Sequence, residues 1–284
     1  MTLTTASTEV SSSWWQRPGG GREVLRVSAP LVVSALSWTI MTFVDRVMLN
    51  WVSSTAMAAA FTSSAAWFAM LSLPLGVCSY TNTFVAQYDG AGEPQHIGQV
   101  FWQAIWIALG FAPIVLLAIP LAPPLLALAR HGSEALHYES QYFQILCIGG
   151  PAMLLAQSGA AFYSGRGQTW VVMIVDAAAA MLNLVLDYCW IFGHCGFPAW
   201  GVAGAAWATS VSLCAKAVVY LLLPLQRAHR ERFGTLRGMR PDFELMRRIL
   251  YFGGPSGLQM LLDVAGFTAF IIFIGRIGDV QVAA

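Results

Sequence analysis

Three polar side chains interrupt apolar stretches that are long enough to cross a membrane. Asp45 lies within the stretch 28–51, and Asn183 and Asp187 lie within the stretch 168–192. An ionised carboxylate at the centre of a spanning helix costs about 2.5–3.5 kcal/mol on insertion scales. A membrane protein retains such a group mostly where the group faces the protein interior and binds or carries something. These residues are therefore the first candidates for a functional site.

Residue counting places the candidates at similar depths. Asp45 and Asp187 each lie six residues before the predicted end of their helix, about 9 Å below that end at 1.5 Å per residue. Asn183 precedes Asp187 by four residues, so it lies on the same helix face, one turn deeper. Thr209 lies about eight residues into the next apolar stretch. The four side chains can therefore converge at one level.

Two carboxylates, an amide and a hydroxyl form an all-oxygen group that suits a hard monovalent cation, with Na⁺ held by Asp45, Asn183 and Asp187. Two nearby carboxylates in a low-dielectric interior do not both ionise easily, so the pair can also hold and release a proton. The alternative is that Asp45 pairs with the adjacent Arg46 or caps local structure. Adjacent side chains on a helix point about 100° apart, so Arg46 is a poor partner.

Asp263, Asp176 and Lys216 are further charged residues within the apolar stretches. Asp263, about 14 residues into the last stretch, is a separate candidate for a substrate or cation site near the midplane. Asp176 is interpreted as structural. Lys216 is interpreted as reaching the membrane surface or pairing with a backbone carbonyl.

Motifs of catalysis and of resident cofactors are not found in the sequence. It carries no P-loop, no nucleophile elbow and no HExxH pattern, so we do not expect an enzyme. The five cysteines have no zinc-site spacing. They are interpreted as buried small apolar residues, although Cys189 and Cys195 can approach each other at a helix end. We expect neither a cofactor nor a bound metal other than a coupling ion, Na⁺ or H⁺.

The composition is that of an all-α polytopic membrane protein. The 284 residues are 57% hydrophobic and only 10% charged, with a mean hydropathy of +0.63, whereas a soluble domain is about 25% charged. A net charge of +1 gives no reason to expect a nucleic-acid partner. Seven windows are long enough to span the bilayer: 28–51, 56–86, 98–124, 138–162, 168–192, 200–224 and 249–276. Prolines near the end of the third window predict an irregular last turn there.

The distribution of arginines predicts the orientation. Seven arginines lie between the sixth and seventh windows, and three precede the first. By the positive-inside rule these segments are cytoplasmic, so the N-terminus is predicted to be inside. The Ser- and Gly-rich segment 1–24 is predicted to be a disordered cytoplasmic tail. The basic segment 226–248 is predicted to be a cytoplasmic loop between lobes, with an amphipathic helix on the inner leaflet as the alternative.

A weak internal repeat predicts two lobes. Residues 250–284 echo residues 25–59, with matching prolines five residues into each copy. Six helices separate the copies, so the repeats are expected to be parallel and related by an axis along the membrane normal. The prediction is a six-helix N-terminal lobe, 25–225, followed by the first helix of an incomplete second lobe, 249–284. We accordingly expect a truncated chain.

Several motifs, taken in order, carry a family resemblance. They are Thr42-Phe-Val-Asp45-Arg-Val-Met48, Gln87-Tyr-Asp-Gly90-Ala-Gly92, Phe162-Tyr-Ser-Gly165-Arg-Gly167-Gln-Thr169, Leu182-Asn183-Leu-Val-Leu-Asp187-Tyr188 and the stretch from Gly196 to Thr209. From about Leu25 to Ala284 the chain resembles the multidrug and toxic compound extrusion (MATE) transporters, especially bacterial NorM-like and DinF-like members.

The resemblance implies antiport across the bacterial inner membrane. Na⁺ or H⁺ would enter while a small organic, often cationic, compound leaves. It implies that Asp45, Asn183, Asp187 and Thr209 match the cation site of the N-terminal lobe. Asp263 would match the acidic position of helix 7. A further acid is expected in a later helix that this chain lacks, so the remaining C-terminal lobe would be required for transport.

Other functions fit the sequence less well. A lipid-linked oligosaccharide flippase of related architecture would favour a cationic central cavity, whereas the charges within the spans are mostly acidic. A seven-helix receptor or retinal protein is suggested only by the helix count. The last window, 249–276, has no lysine for a Schiff base.

Overall fold

The computed structural model describes residues 14, 15, 17, 20–127 and 132–277, with side chains described for all of these except 237 and 268–277. Every regular element in these ranges is helical. The eight α-helices are α1 (Gly21–Val52), α2 (Ser54–Gly90), α3 (Pro94–Ala127), α4 (Ser133–Ser164), α5 (Thr169–Phe192), α6 (Val202–Leu222), α7 (Arg227–Phe233) and α8 (Phe243–Ile277). Short 3₁₀ turns at Leu223–Leu225 and Arg237–Met239 flank α7.

The helices form one bundle with α4 at its centre. α4 packs against α2, α3 and α6, while α1 packs against α5 and α2, and α8 lies along α2. Short connections make consecutive long helices alternate in direction. The end at which α1, α3, α5 and α8 begin is called the basic end, because the arginine-rich α6–α8 connection lies there. The opposite end is called the far end.

Six helices, α1 to α6, are long and apolar enough to cross a membrane, as judged over the described residues. They match the first six predicted windows in order and exceed most of them by several residues at the ends. α8 corresponds to the seventh window. An all-helical membrane bundle is expected physically because lipid offers the backbone no hydrogen-bond partners.

Several helix boundaries differ from the predicted ones. α1 begins at Gly21, inside the segment predicted as a tail, and residues 1–13, 16, 18 and 19 of that segment lie outside the described residues. α3 continues through Pro120, Pro123 and Pro124 to Ala127, so the predicted irregular last turn is wrong. A proline nitrogen has no hydrogen to donate, and neighbouring helices can compensate for that loss in a membrane bundle.

The connection between α6 and α8 is docked against the bundle through its backbone, while most of its side chains are exposed. Trp106 Nε1 donates to the Met239 carbonyl at 3.0 Å. The Gln103 side chain donates to the Arg240 carbonyl at 3.1 Å and accepts from the Asp242 backbone N–H at 2.9 Å. Asp242 in turn caps α8 by accepting from the N–H groups of Glu244 and Leu245, so that α8 starts six residues before the predicted window.

Small residues bring α8 close to α2. A Cβ added at Gly76 would lie 2.6 Å from the Gly257 Cα, and one added at Gly257 would lie 2.5 Å from the Leu73 carbonyl oxygen. Gly253 and Gly257 are four residues apart on the same face of α8, the spacing that lets membrane helices approach closely. This contact fixes the position of Asp263 relative to the other helices.

Candidate functional site

The four residues predicted to converge lie at the contact of α1, α5 and α6. Asp45 comes from α1, Asn183 and Asp187 from α5, and Thr209 from α6. Their exposed fractions are 4%, 0%, 0% and 9%, respectively, so all four are withdrawn from the bundle surface. Each lies within about two turns of the far end of its helix. The helix pairs α1–α5 and α5–α6, both in extensive contact, bring them together.

Asn183 links α5 to α6. With its nitrogen oriented toward Asp187, the amide donates to Asp187 Oδ2 at 2.9 Å, and its oxygen accepts from the Thr209 backbone N–H at 3.2 Å. The same end of the amide lies 3.4 Å from Thr209 Oγ1. This orientation is assigned because it gives both ends of the amide a matching partner. Asn183 therefore positions one oxygen of Asp187.

Asp45 is held by a residue that the sequence analysis missed. The Tyr142 hydroxyl, on α4, donates to Asp45 Oδ2 at 3.2 Å. Arg46 Nη1 lies 4.0 Å from the same oxygen, while Arg46 Nη2 donates to Ser64 Oγ at 2.8 Å. Arg46 thus neighbours Asp45 at the outer limit of an ion pair and makes its hydrogen bond elsewhere. Depth counting along α4, which begins at the far end, was the one signal that could have indicated Tyr142.

Two buried carboxylate oxygens remain unused. Asp45 Oδ1 and Asp187 Oδ1 have no hydrogen-bond partner among the described residues. Such buried acceptors are costly unless something supplies a positive charge or a proton. Asp187 also interacts electrostatically with Asp45. Repulsion between two acids in a low-dielectric interior adds to the free energy that a cation or a proton would relieve.

The site opens into a cavity of about 500 Å³. Asp45, Asn183 and Thr209 line it, while Asp187 lies behind Asn183. Its remaining wall is mainly apolar and aromatic, and includes Trp38, Phe61, Trp67, Phe68 and Phe267. A cavity of this size and character can hold a small organic molecule.

Asp263, predicted as a separate site in the second lobe, lines the same cavity from α8. Its side chain is exposed, unlike those of Asp45 and Asp187. The structure therefore brings this acid to the rim of the cavity and not into the cluster. Within the part of the chain that the structure describes, no three His, Cys, Asp or Glu side chains converge as a metal site.

The structure gives Lys216 a partner that the sequence analysis did not predict. Lys216 pairs with the Asp176 carboxylate at 2.7 Å, so the predictions that it reaches the surface or pairs with a carbonyl are wrong. The Asp176 carboxylate attracts the ammonium because both lie on facing sides of α5 and α6.

Cys189 and Cys195, which the sequence analysis allows to approach each other at a helix end, form a disulfide. Its Cα–Cα distance is 5.5 Å, within the range of natural bridges. It joins the end of α5 to the following loop.

Comparisons with known proteins give the family. The MatE family model matches residues 30–189, more than half of the chain. The probable multidrug resistance protein NorM of Listeria innocua is 28% identical over 265 residues, which cover 93% of this chain and 58% of that protein. The multidrug resistance protein PmpM of Pseudomonas aeruginosa is 29% identical, with 92% of this chain and 55% of that protein covered.

Solved structures agree on the fold. An outward-facing multidrug resistance MATE family transporter of the MOP superfamily superposes with a TM-score of 0.79 at 22% identity, and the match covers 89% of this chain and 56% of that one. The chain thus spans a little more than half the length of the curated relatives it matches. With its all-helical bundle, its apolar spans and the extent of the family match, this chain belongs to the MatE family.

Proposed function

We propose that the chain is part of a secondary antiporter that exports small organic, often cationic, compounds in exchange for Na⁺ or H⁺. The relatives named above are multidrug resistance proteins, which supports drug extrusion. The coupling step is assigned to Asp45, Asn183, Asp187 and Thr209. Because the chain spans only part of its relatives' length, we propose that transport also requires a second lobe.

The unused oxygens of the two buried acids carry this proposal. Asp45 Oδ1 and Asp187 Oδ1 lack hydrogen-bond partners in the described ranges, although both atoms are buried. A single Na⁺ would be attracted to both carboxylates and would gain the oxygens of Asn183 and Thr209 as further ligands. A proton on one carboxylate would relieve the same repulsion. Either ion would thereby change the charge of the cavity wall.

The cavity suits an organic cation as the exported compound. Aromatic faces attract cations through their quadrupoles, and Asp45 and Asp263 are acids on the cavity wall. When a coupling ion neutralises Asp45, the attraction for a positively charged compound weakens. Competition of this kind would couple ion entry to release of the compound.

The charges of the cavity do not favour the flippase alternative. Asp45 and Asp263 outnumber Arg46 among the charged side chains on its wall. A carrier of anionic, lipid-linked sugars would favour basic side chains instead. We retain drug export as the proposal.

Drug susceptibility tests the proposed function. The full-length gene, including the proposed second lobe, is expressed with and without Asp45→Asn in an efflux-deficient bacterial host, and the inhibitory concentrations of cationic drugs and dyes are compared. We expect the unchanged gene to raise resistance and Asp45→Asn to abolish the gain. Asp89→Asn, which removes an exposed acid in the last turn of α2, is the matched control. Full resistance with well-expressed Asp45→Asn would contradict the coupling role.

A further inference from the structure

A second polar cluster joins the same three helices nearer the basic end. Lys216 Nζ on α6 lies 2.7 Å from Asp176 Oδ1 on α5. The Ser34 hydroxyl on α1 donates to Asp176 Oδ2, and the Tyr220 hydroxyl on α6 donates to Asp176 Oδ1 at 3.3 Å. Both oxygens of Asp176 therefore have partners. In this respect the cluster is the opposite of the Asp45–Asp187 cluster, where one oxygen of each acid is unused.

A small pocket lies between the two clusters. It has a volume of about 30 Å³, which is room for a water molecule, and both Asp176 and Lys216 line it. Trp38, Met41 and Thr209 line this pocket and also the large cavity. Ser212 Oγ, a further lining group, is buried without a hydrogen-bond partner in the described part of the chain. The polar groups that line this pocket therefore lie between the cation site and Asp176, and this direction toward the basic end is called the path.

The path is closed beyond the ion pair. Tyr220 is fully buried, and a Cβ added at Gly159 would lie 2.5 Å from the Tyr220 Cβ, so α4 packs tightly against this ring. Asp176 lies seven residues before Asn183 on α5, about 10 Å away along the helix. Without its partner, Asp176 would be a third acid, near enough to attract a cation away from the Asp45–Asp187 cluster.

We propose that Lys216 is a built-in counter-cation for Asp176, which confines the coupling cation to the Asp45–Asp187 cluster and closes the basic end of the path. The inference rests on the proposed function, since it presupposes that a cation occupies that cluster. A fixed positive charge beside a narrow polar path raises the energy of any mobile cation that enters it. The tethered ammonium also satisfies Asp176, so the acid offers no vacant site.

Cation leak through the chain tests this role. The purified chain is reconstituted in liposomes that carry a Na⁺ gradient or a pH gradient, and equilibration is followed without any drug. We expect Lys216→Met to leak at least about tenfold faster than wild type, because it leaves an unpaired acid in the path. Lys216→Arg keeps the charge and is expected to remain tight. The double variant Asp176→Asn with Lys216→Met removes both charges and is expected to be tight again.

Asp176→Asn distinguishes a barrier from a structural ion pair. It leaves the lysine charge in place, so we expect no cation leak. A purely structural pair would make Asp176→Asn and Lys216→Met leak alike, and that result would overturn the proposal. Tight Lys216→Met liposomes would overturn it as well. If Lys216→Met is not recovered folded, Lys216→Gln, which keeps a donor for Asp176, is measured instead. A faster cation leak than wild type supports the proposal, and tight liposomes overturn it.

Cation binding measured on the same samples separates this inference from the proposed function. If wild-type chain binds no cation at the Asp45–Asp187 cluster, the proposed function fails whatever the leak rates are. If wild type binds a cation and Lys216→Met binds it without leaking, only the role of Lys216 fails.

Discussion

At the scale of single residues, the difference between the two polar clusters is the number of partners each carboxylate has. Asp176 has a partner on each oxygen, whereas Asp45 and Asp187 each keep one oxygen without a partner among the described residues. A carboxylate of the first kind, such as the partly buried Asp176, holds neighbouring helices together. An acceptor of the second kind is expected to bind an ion or a proton, because burial without a partner is costly.

We expect Asn183 to support cation binding through both of its hydrogen bonds. We expect Asn183→Ala to weaken cation binding about tenfold or more, because it releases Asp187 Oδ2 and removes an oxygen ligand, and hydrogen bonds to charged groups contribute about 1.5–3 kcal/mol. Trp38 and Trp67 line the cavity, so titration of tryptophan fluorescence with Na⁺ or protons can report binding. Asn50→Ala, at an exposed position of α1, is the control. Equal affinities for the two variants would contradict this role.

We expect the stability of the docked α7 segment to depend on pH through His229. Burial, followed by repulsion from Arg166 and Arg232, lowers the pKa of His229 below its ordinary 6.5. The unfolded segment therefore binds a proton more readily than the docked one. The stabilisation of the docked segment by neutral His229 is fully present above about pH 6.5. It is lost as the pH falls through the lowered pKa of His229. The neutral ring packs against Phe162 and Phe233 in this state.

Hydrogen exchange of the α7 amides checks the behaviour of His229. After correction for intrinsic rates, we expect weaker protection at pH 5.5 than at pH 7.5. In His229→Gln the difference should disappear, because the variant cannot take up the proton. A difference that persists in His229→Gln would assign the effect to another group.

The convergence of Asp45, Asn183, Asp187 and Thr209 could be predicted by counting residues from helix ends, because depth along a helix is fixed by its rise. Counting can place Tyr142 and Lys216 at a depth, but it cannot assign their partners. Their partners lie on other helices, and which faces of two helices meet depends on packing that the spacing within one helix does not encode. Lys216 meets Asp176 because of the way α5 and α6 pack against each other.

At the scale of elements, the helices were predictable and their connections were less so. Long apolar runs indicate spans by length alone. The α6–α8 connection contains many arginines, which predicts a cytoplasmic loop but not its contacts with the bundle. It docks because Gln103 and Trp106 of α3 supply partners for its backbone. Composition cannot reveal that such partners are available on a neighbouring helix.

The glycine contact between α2 and α8 makes a testable element-scale prediction. We expect Gly257→Ala to destabilise the bundle by about 1–3 kcal/mol, because its Cβ would lie 2.5 Å from the Leu73 carbonyl oxygen and backbone cannot move aside cheaply. Unfolding in detergent measures the loss. Gly254→Ala, on the same helix with nothing within 4 Å of its Cβ, is the matched control. If both substitutions have the same effect, the close α2–α8 contact does not stabilise the bundle.

At the scale of the whole molecule, the arginine distribution predicts which end of the bundle faces the cytoplasm. We propose that the basic end is inside and that the Asp45–Asp187 cluster lies in the outer half of the membrane. Arg230 and Arg232 on α7 are exposed. Trypsin should therefore cut this connection in inverted membrane vesicles and not in intact, right-side-out ones. Substituting every arginine of the connection with glutamine should remove the fragments, and cleavage only in right-side-out vesicles would reverse the orientation.

The parallel two-lobe arrangement stays a prediction, and its support in the sequence is weak because few residues match between 25–59 and 250–284. The likeness to solved transporters over the bundle is much stronger than this internal echo. Tertiary packing is retained where sequence identity is low, because many apolar side chains can fill the same lipid-exposed and buried positions. The bundle described here holds the entire proposed cation site, so the site can be measured in this chain.

Cation binding to the purified chain tests the central claim most directly. Binding of radioactive Na⁺, and proton uptake in a parallel titration, are measured for wild type and for the double variant Asp45→Asn with Asp187→Asn. We expect wild type to bind one of these ions saturably, the double variant to lose that binding by about tenfold or more, and the exposed-acid control Asp89→Asn to match wild type. Unchanged binding in a folded double variant would contradict the claim that these two buried acids hold the coupling ion.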